Sequence, residues 1–307
     1  MASTSIPHLM KGILIEKAGG IDVLQYKSDI PVPLPKDGEV LIKNDFIGVN
    51  YIDTLVFSEP PSPLCLTGHW QSYSHRNFRS GRYPAPKPQI LSVEAEGTIV
   101  STSSTGEIYG LKPGDHVVWI GTGAYAEYSV CSASKVYVLP SGLEPGAAAA
   151  SLSQGLTALI FIEKAYYVQK GDWILVQGAS RGVGLWLCQL LKAVGARVIG
   201  TASTAEKMKL ATGNGADFIL NYSNDNILER VVEITKGEGV AAVFDSVGAS
   251  TFEIGIQALS RDGTMVSYGN TSGRVPPFQI TKISAKNLKL IRLSVFGTYP
   301  GSRFLLI

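Results

Sequence analysis

The 307-residue chain carries 27 Lys+Arg against 25 Asp+Glu, so its formal net charge is +2 and bulk charge predicts neither a nucleic-acid nor a membrane-surface partner. Hydrophobic residues make up 45% and charged residues 17% of the chain. That composition excludes a disordered chain, and at this length it favours two domains. The cysteines, Cys65, Cys131 and Cys188, are far apart and form no CxxC pair, which predicts reduced thiols.

The N-terminal residues show no basic segment followed by an apolar run, the pattern typical of a secretory signal. The most apolar stretch, Ala147 to Ile162, is interrupted by Ser151, Gln154 and Gly155. It is also shorter than the ~20 apolar residues that a membrane span needs. We therefore predict a cytoplasmic protein without a membrane partner.

The first 140 residues alternate short apolar runs with Pro-, Gly- and Asp-containing turns, which predicts a β-rich, barrel-like domain. The runs are Gly12–Ile15, Val40–Ile42, Thr98–Val100 and His116–Ile120.

After Pro140 a helical pattern over Ala147–Ala165 is followed by strands that alternate with helices. This rhythm predicts a parallel, doubly wound sheet. The predicted strands are Trp173–Gln177, Arg197–Ala202, Phe218–Asn221, Val240–Asp245 and Thr264–Tyr268, and the helices are Gly184–Val194, Ala205–Ala211, Asn226–Thr235 and Thr251–Leu259.

The segment Gly178-Ala-Ser-Arg-Gly-Val-Gly184 connects the first of these strands to a helix. Small residues let such a turn tighten, so that backbone N–H groups can meet a pyrophosphate at the positive helix end. The alternative is a glycine-rich strand–helix turn without a ligand. Arg181 stands where a glycine usually permits the closest approach, and whether it crowds or binds the phosphates stays open.

The choice between NADH and NADPH is made at the end of the second strand of such a unit, where a carboxylate would bind the ribose 2′-hydroxyl. This chain has Gly200-Thr-Ala-Ser-Thr204 there, without an acid, followed by Lys207. The absent carboxylate and the lysine favour NADPH, whereas the alternative for Lys207 is a solvated helix lysine.

A series of ordered motifs runs from about Lys11 to about Phe296. The motifs are Val49-Asn-Tyr-Ile-Asp-Thr54, Arg79-Ser-Gly-Arg-Tyr-Pro84, Glu94-Ala-Glu-Gly97, Lys112-Pro-Gly-Asp-His-Val117, Gly123-Ala-Tyr-Ala-Glu-Tyr128, Gly155-Leu-Thr157, Gly182-Val-Gly184, Asn221-Tyr222, Asp245-Ser-Val-Gly248 and Tyr268-Gly-Asn-Thr-Ser-Gly273. With them the chain resembles the zinc-free NADPH:quinone oxidoreductases, the zeta-crystallin-like branch of the medium-chain dehydrogenases/reductases.

The resemblance implies an α/β protein in which a GroES-like β-barrel catalytic domain (1–140) precedes a Rossmann NADPH-binding domain (141–296). It also implies a homodimer that pairs its sheets through a strand over 288–295. The implied cofactor-binding residues are Asn50 and Thr157 near the nicotinamide; Ser180, Arg181, Gly182 and Val183 at the pyrophosphate; Ser203, Lys207 and Tyr222 at the 2′-phosphate; and Ser246, Val247, Tyr268 and Asn270 along the cofactor's outer edge.

Zinc is not expected. Zinc-dependent relatives have Gly-His-Glu where this chain reads Ser92-Val93-Glu94, so Val93 replaces a metal ligand. The four closely spaced cysteines of their structural zinc site are absent too. His69, with Cys65 nearby, lacks a complete ligand set, and an exposed histidine is the simpler interpretation.

Two segments depart from the family pattern. Residues 55–77 form an insertion after Thr54, and Leu55 stands where relatives have an active-site tyrosine. Residues 297–307 replace the segment with which relatives complete their first domain. Our hypothesis for both is unspliced introns or a faulty gene model, which sequencing of the mature transcript tests.

The predicted reaction is zinc-independent hydride transfer from NADPH to a quinone or electron-poor enone. Asn50 is the predicted orienting group, and Tyr51, Tyr83 or water is the candidate substitute for the missing tyrosine; packing is the alternative role of both tyrosines. One alternative is an NADPH-binding protein of the same fold with little or no activity, or with an RNA-binding role. Another is a chain that does not fold stably, because its first domain lacks a closing segment.

Overall fold

The computed structural model describes residues 6–17, 19–50 and 87–293. Tyr51, Tyr83, the insertion 55–77 and the tail 297–307 lie outside these ranges. Two compact units make up the chain, and the second begins at Gln154. Within the described ranges, no helix has both the length and the apolar character needed to cross a membrane.

The first unit contains two antiparallel sheets, a three-stranded sheet in the order β2-β1-β4 and a five-stranded sheet in the order β7-β3-β5-β6-β8. Their strands are β1 (Leu9–Ile15), β2 (Gln25–Pro31), β3 (Glu39–Ile47), β4 (Gln89–Ile90), β5 (Glu94–Thr102), β6 (His116–Ile120), β7 (Tyr128–Ser132) and β8 (Val136–Val138).

The core of the first unit packs around Trp119 of β6, which is fully buried together with Val40, Ile42 and Val117. The indole N–H of Trp119 donates to Oδ1 of Asn44 at 3.0 Å. This bond satisfies the one polar group that the large ring brings inside and so offsets the loss of its hydration.

The second unit is a six-stranded sheet in which every described strand pair is parallel. Its elements are helix α1 (Ala147–Ile160), which starts in the first unit, then β9 (Trp173–Gln177), α2 (Gly182–Val194), β10 (Arg197–Ala202), α3 (Ala205–Gly213), β11 (Phe218–Asn221), α4 (Ile227–Ile234), β12 (Val240–Asp245), α5 (Phe252–Ala258), β13 (Leu259–Ser267) and β14 (Lys289–Ile291).

The strand order of this sheet is β11-β10-β9-β12-β13-β14, which is the 3-2-1-4-5-6 order of a dinucleotide-binding Rossmann fold. The central strands β9 and β12 are buried, mostly apolar runs, as expected where both faces of a parallel sheet are covered. Leu175, Val243 and Met265 from three of them are fully buried in one core with Phe252 and Ile256 of α5. The predicted doubly wound parallel sheet is therefore confirmed.

Several elements differ in extent from the prediction. The long helix predicted over 147–165 ends as an α-helix at Ile160 and continues as a π-turn over Phe161–Ala165. Strand β13 begins at Leu259 rather than Thr264; the run Arg261-Asp262-Gly263 breaks its apolar pattern, and Asp262 has φ +61° beside an irregular register. Strand β14 covers Lys289–Ile291 of the predicted 288–295, and residues 294 and 295 lie outside the described ranges.

Candidate functional site

The strand order of the six-stranded sheet reverses between its neighbouring strands β9 and β12. The chain leaves β9 toward one side and β12 toward the other, so a crevice forms at their carboxyl ends. In register, Gln177 at the end of β9 is level with Asp245 at the end of β12. Asp245 is in turn level with Ser267 of β13.

The turn after β9 is shaped by glycines at two positions. Gly178 has φ +75°, a left-handed conformation that glycine adopts without strain. Its N–H donates to Oγ1 of Thr201 at 3.1 Å. At Gly184 an added Cβ would press on the carbonyl oxygen of Gly178 and lie 2.9 Å from the Cα of Ala179. Helix α2 can therefore approach β9 closely only with glycine at this position.

Helix α2 begins directly after this turn, with Arg181 in an extended conformation at its N-cap and no side-chain cap bond. The N–H groups of a first helical turn have no acceptor inside the helix, and the helix dipole makes this end positive. At Gly182 a Cβ would lie 2.6 Å from the side-chain amide carbon of Gln154, so the Gln154 side chain would have to move to admit one. The cradle thus has the shape and polarity that a pyrophosphate needs.

Buried polar side chains line the carboxyl edge beside this cradle. Gln177, Asp245 and Thr201 are each at most 1% exposed. The Thr201 hydroxyl donates to Oε1 of Gln177 at 2.9 Å. Among the described residues, Nε2 of Gln177 and Oδ2 of Asp245 have no hydrogen-bond partner. Unpaired polar atoms in the interior are unusual, and here they fit an edge that binds a polar ligand or water.

Asp245 holds the turn that follows β12. Its Oδ1 accepts from the N–H of Val247 at 2.7 Å, from the N–H of Gly248 at 3.2 Å and from the Thr251 hydroxyl at 2.9 Å. Burial raises the pKa of Asp245 above its usual range, whereas these three bonds and the charge of Arg292 lower it. The carboxyl group therefore fixes the backbone of the predicted cofactor-lining residues.

The predicted outer-edge residues Ser246, Val247, Tyr268 and Asn270 all follow the carboxyl ends of β12 and β13. The Ser246 hydroxyl donates to the carbonyl oxygen of Gln177 at 3.0 Å, which ties this turn to β9. The ring of Tyr268 packs on Phe161 at a centroid distance of 4.6 Å, and burial raises the pKa of its hydroxyl. The structure thus brings these residues to the edge where the phosphate turn also lies.

The predicted 2′-phosphate residues lie at the ends of the neighbouring strands β10 and β11. Ser203 follows β10 and Tyr222 follows β11, and the N–H of Tyr222 donates to the carbonyl oxygen of Ala202 at 3.2 Å. Lys207 is exposed in the first turn of α3, where the Thr204 hydroxyl accepts from its N–H at 3.3 Å. Glu206, next to Lys207 in the same turn, adds a carboxylate near this end of the site.

In the first unit, Asn50 is 7% exposed and its Nδ2 donates to Oε1 of Glu94 at 2.6 Å. The other oxygen of Glu94 accepts from the N–H of Ser153 on α1 at 2.6 Å. Thr157 lies half-buried one turn further along the same helix. Glu94 was not among the predicted site residues; the available signal was a pair of carboxylates, Glu94 and Glu96, at the start of a strand that continues with small and apolar residues.

Two positions bear on metal binding and thiol chemistry. Val93, which the sequence resemblance predicts in place of a zinc-binding histidine, is apolar and 2% exposed. Residues 6–17, 19–50 and 87–293 contain no group of three or more His, Cys, Asp or Glu side chains that could hold a metal. Cys131 and Cys188 are free and buried, and burial raises the pKa of each thiol to about 12.

Comparison with known proteins gives matches over both units. Residues 36–141 match the family described as "Alcohol dehydrogenase GroES-like domain", and residues 182–304 match "Zinc-binding dehydrogenase". A probable quinone oxidoreductase of Schizosaccharomyces pombe is 38% identical over 94% of this chain and 80% of its own length. Quinone oxidoreductase 1 of Escherichia coli is 37% identical over 93% of this chain and 81% of its own length.

Solved structures agree with these matches. A quinone oxidoreductase of Escherichia coli complexed with NADPH superposes with a TM-score of 0.82 at 35% identity, over 94% of this chain and 82% of that one. A mycobacterial protein complexed with NADPH gives 0.82 at 38% identity, over 94% and 83%. The predicted GroES-like and Rossmann domains are confirmed, and the chain belongs to the quinone oxidoreductase family of medium-chain dehydrogenases/reductases.

Proposed function

We propose that this chain is a zinc-independent NADPH:quinone oxidoreductase that reduces a quinone or an electron-poor enone. The observation that carries the proposal is the glycine cradle after β9, which lies beside buried polar atoms at the switch point of a 3-2-1-4-5-6 sheet. The absence of an acid in residues 200–204 favours NADPH over NADH. Similar proteins from two bacterial sources, solved with NADPH, support the same cofactor.

NADPH, when bound, supplies the hydride, and the residues of this chain hold and orient it. The N–H groups of Gly182 and Val183 bind the pyrophosphate at the start of α2, flanked by Ser180 and Arg181. Lys207 attracts the 2′-phosphate with its charge, while Ser203 and Tyr222 flank that group. Thr157 and Asn50 orient the nicotinamide; Ser246, Val247, Tyr268 and Asn270 line the outer edge.

Without a metal to polarise the substrate, the protein contributes orientation, exclusion of water and hydrogen bonds. Asn50 is neutral across the physiological pH range, so its amide orients groups and transfers no proton. Tyr51 and Tyr83, both outside the described residues, are our candidates for donating a hydrogen bond or proton to the quinone oxygen. The balanced reaction consumes one NADPH and one proton for each quinone reduced to a hydroquinone.

We further propose a cytoplasmic homodimer that pairs its sheets through residues 288–295, without a nucleic-acid partner. The support for the dimer is the place of β14 at one edge of the six-stranded sheet. An edge strand offers a row of backbone donors and acceptors to a second copy. The near-neutral charge of +2 supports the absence of nucleic acid.

The test is to purify the chain, titrate NADPH and NADH by fluorescence, and follow NADPH oxidation by small ortho- and para-quinones and an enone. We expect tighter binding of NADPH than of NADH, and turnover that a zinc chelator leaves unchanged. Binding of NADPH without turnover of any acceptor would instead indicate a cofactor-binding protein. Turnover lost to the chelator and restored by zinc would contradict zinc independence.

A further inference from the structure

Two carboxylates in the core of the first unit carry the inference. Glu94 and Glu96 are two positions apart on β5, each 1% exposed. Residues i and i+2 of a strand share one face of the sheet, so the pair occupies similar surroundings. A buried carboxylate is tolerated only where hydrogen-bond donors compensate its lost hydration. The donors that serve Glu94 and those that serve Glu96 come from different parts of the structure.

Glu96 has contacts that are structural. Its oxygens accept from the N–H of Gly146 at 3.0 Å and from the N–H of Ala148 at 3.2 Å, at the start of α1. His116 approaches it to 3.4 Å through Nε2. The carboxyl group satisfies N–H groups at a helix start, where no acceptor exists inside the helix. None of these three residues is a predicted site residue.

Glu94, in contrast, contacts a predicted site residue. Oε1 accepts from Nδ2 of Asn50 and Oε2 accepts from the N–H of Ser153, both at 2.6 Å. Space around the carboxyl group is tight, because a Cβ at Gly48 would lie 2.6 Å from Oε1. Glu94 is therefore held at both oxygens and by the neighbouring backbone.

The chemistry of the two side chains makes the Asn50 amide directional. Both oxygens of Glu94 act as acceptors, and an asparagine amide has one donor end and one acceptor end. Asn50 must therefore turn its NH₂ toward Glu94, and its Oδ1 points away from the carboxylate. A glutamine at position 94 would remove this constraint, since it has a single oxygen, whereas the NH₂ of Asn50 and the N–H of Ser153 each bond to a different oxygen of Glu94.

We propose that Glu94 is a positioning residue for the reaction of the quinone oxidoreductase site: it fixes the Asn50 amide with its NH₂ toward the carboxylate and its Oδ1 on the side away from it. An N–H, such as that of the nicotinamide carboxamide, is the kind of group that complements an amide oxygen held in this orientation. This inference rests on the proposed function for its catalytic consequence, whereas the orientation of Asn50 follows from the contacts alone.

The test compares Glu94→Gln with Glu96→Gln, which changes an equally buried carboxylate on the same face of the same strand. For Glu94→Gln we expect kcat to fall by about 10- to 100-fold, the scale of a misplaced orienting group, with a much smaller change in the Kd for NADPH. In protein labelled with ¹⁵N-asparagine, the Asn50 side-chain NH₂ signals should shift and lose protection from exchange. Glu96→Gln should lower the Tm but leave kcat and the Asn50 signals unchanged.

A swap of donor and acceptor sharpens the test. In Glu94→Gln with Asn50→Asp, the new amide can accept from the N–H of Ser153 and donate to the new carboxylate, which again presents an oxygen outward. We expect this double variant to recover at least about fivefold in kcat over Glu94→Gln, with coupling of the size seen for residues in contact. Asn50→Asp alone places two carboxylates together and should be worse than the swap.

The proposal is overturned if Glu94→Gln changes kcat and the Asn50 signals no more than Glu96→Gln does. It is also overturned if the double variant recovers no kcat over Glu94→Gln. A wild-type protein that binds NADPH without reducing any acceptor would defeat the proposed function and not the orientation of Asn50. In that case the Asn50 NH₂ signals alone decide. If they do not shift in Glu94→Gln, Glu94 does not orient Asn50. If they shift in Glu94→Gln and not in Glu96→Gln, the role of Glu94 is supported.

Discussion

The two units place polar side chains in their interiors in different ways. In the second unit, Gln177 and Asp245 lie at one level of the sheet, and Asp245 bonds to backbone N–H groups two and three residues further along the chain. In the first unit, Glu94 and Glu96 reach partners 44 to 59 positions away. The Asp245 carboxyl group therefore stiffens a local turn, whereas Glu94 and Glu96 connect distant segments.

This difference predicts that the two units respond differently to amino-acid substitution. A site built from turns and backbone N–H groups needs close approach of the backbone, so substitution of its glycines should disrupt it. A site built from side chains brought together over long separations depends on particular donors and acceptors. Substitutions in the second unit should act first on cofactor affinity, and those in the first unit on stability and on the orientation of Asn50.

The largest effect is expected from Gly184→Ala. Its Cβ would lie 2.9 Å from the Cα of Ala179 and still closer to the carbonyl oxygen of Gly178. Because both neighbours are backbone, α2 must move away from β9, at a cost of about 1–3 kcal/mol in the free energy of unfolding. We expect at least about tenfold weaker NADPH binding by fluorescence titration, equivalent to about 1.4 kcal/mol.

Gly97→Ala is the matched control in the first unit, because a Cβ there would lie 2.9 Å from the carbonyl carbon of Lys43. It should lower the Tm to a similar degree and leave the affinity of the folded protein for NADPH within about twofold, since no cofactor contact is proposed on that strand. Equal losses of NADPH affinity in both variants would contradict the distinction between the units.

A smaller effect concerns the pH dependence of stability through Asp245. Burial raises its pKa in the folded protein above the ordinary value of 3.8, so the folded state binds this proton more tightly than the unfolded state. The contribution to stability is full below pH 3.8 and is lost as pH rises through the raised pKa. The Asp245→Asn variant has no titrating group at this position. The unfolding free energy of the wild type minus that of the variant should therefore fall as pH rises. The decrease should be about 1.4 kcal/mol for each pH unit between the pKa of the unfolded chain and that of the folded protein.

Denaturant unfolding of both proteins across this pH window measures the difference. Thr251→Val supplies the matched variant, because it removes a hydroxyl that donates to Oδ1 of Asp245 at 2.9 Å and lowers its pKa. That variant should lose more stability than the wild type over the same pH rise. If plots of unfolding free energy against pH stay parallel for the wild type and Asp245→Asn, the pKa of Asp245 in the folded protein is not raised.

The same distinction explains what the sequence predicted. The bounds of β9, β10, β11 and β12 coincide with the predicted ones because each contains a short apolar run bounded by polar or turn residues. The start of β13 was missed because Arg261-Asp262-Gly263 interrupts its pattern. Regular periodicity is a local property, so it predicts the elements of the second unit well.

The contacts of Glu94 could not be predicted in this way. Asn50 and Ser153 are 44 and 59 positions from Glu94, and no local pattern states which donors a buried carboxylate will meet. The network of Asp245 was missed for a related reason, since its motif indicated a cofactor-lining turn but not the bonds that hold it. The roles of Tyr51 and Tyr83 stay predictions, as both lie outside the described residues.

The smallest expected effect tests the adenosine end of the second unit, where affinity depends on a side chain rather than on the backbone. Lys207 and Lys209 are both exposed on α3, and residues two apart on a helix face different directions. Lys207→Ala should weaken NADPH binding by about three- to tenfold, because an exposed charge contributes about 1 kcal/mol, and should leave NADH binding unchanged. Lys209→Ala should alter neither, and the loss for Lys207→Ala should diminish at high salt. Equal weakening of NADPH and NADH by Lys207→Ala would mean that the lysine supports the fold of α3 rather than the 2′-phosphate.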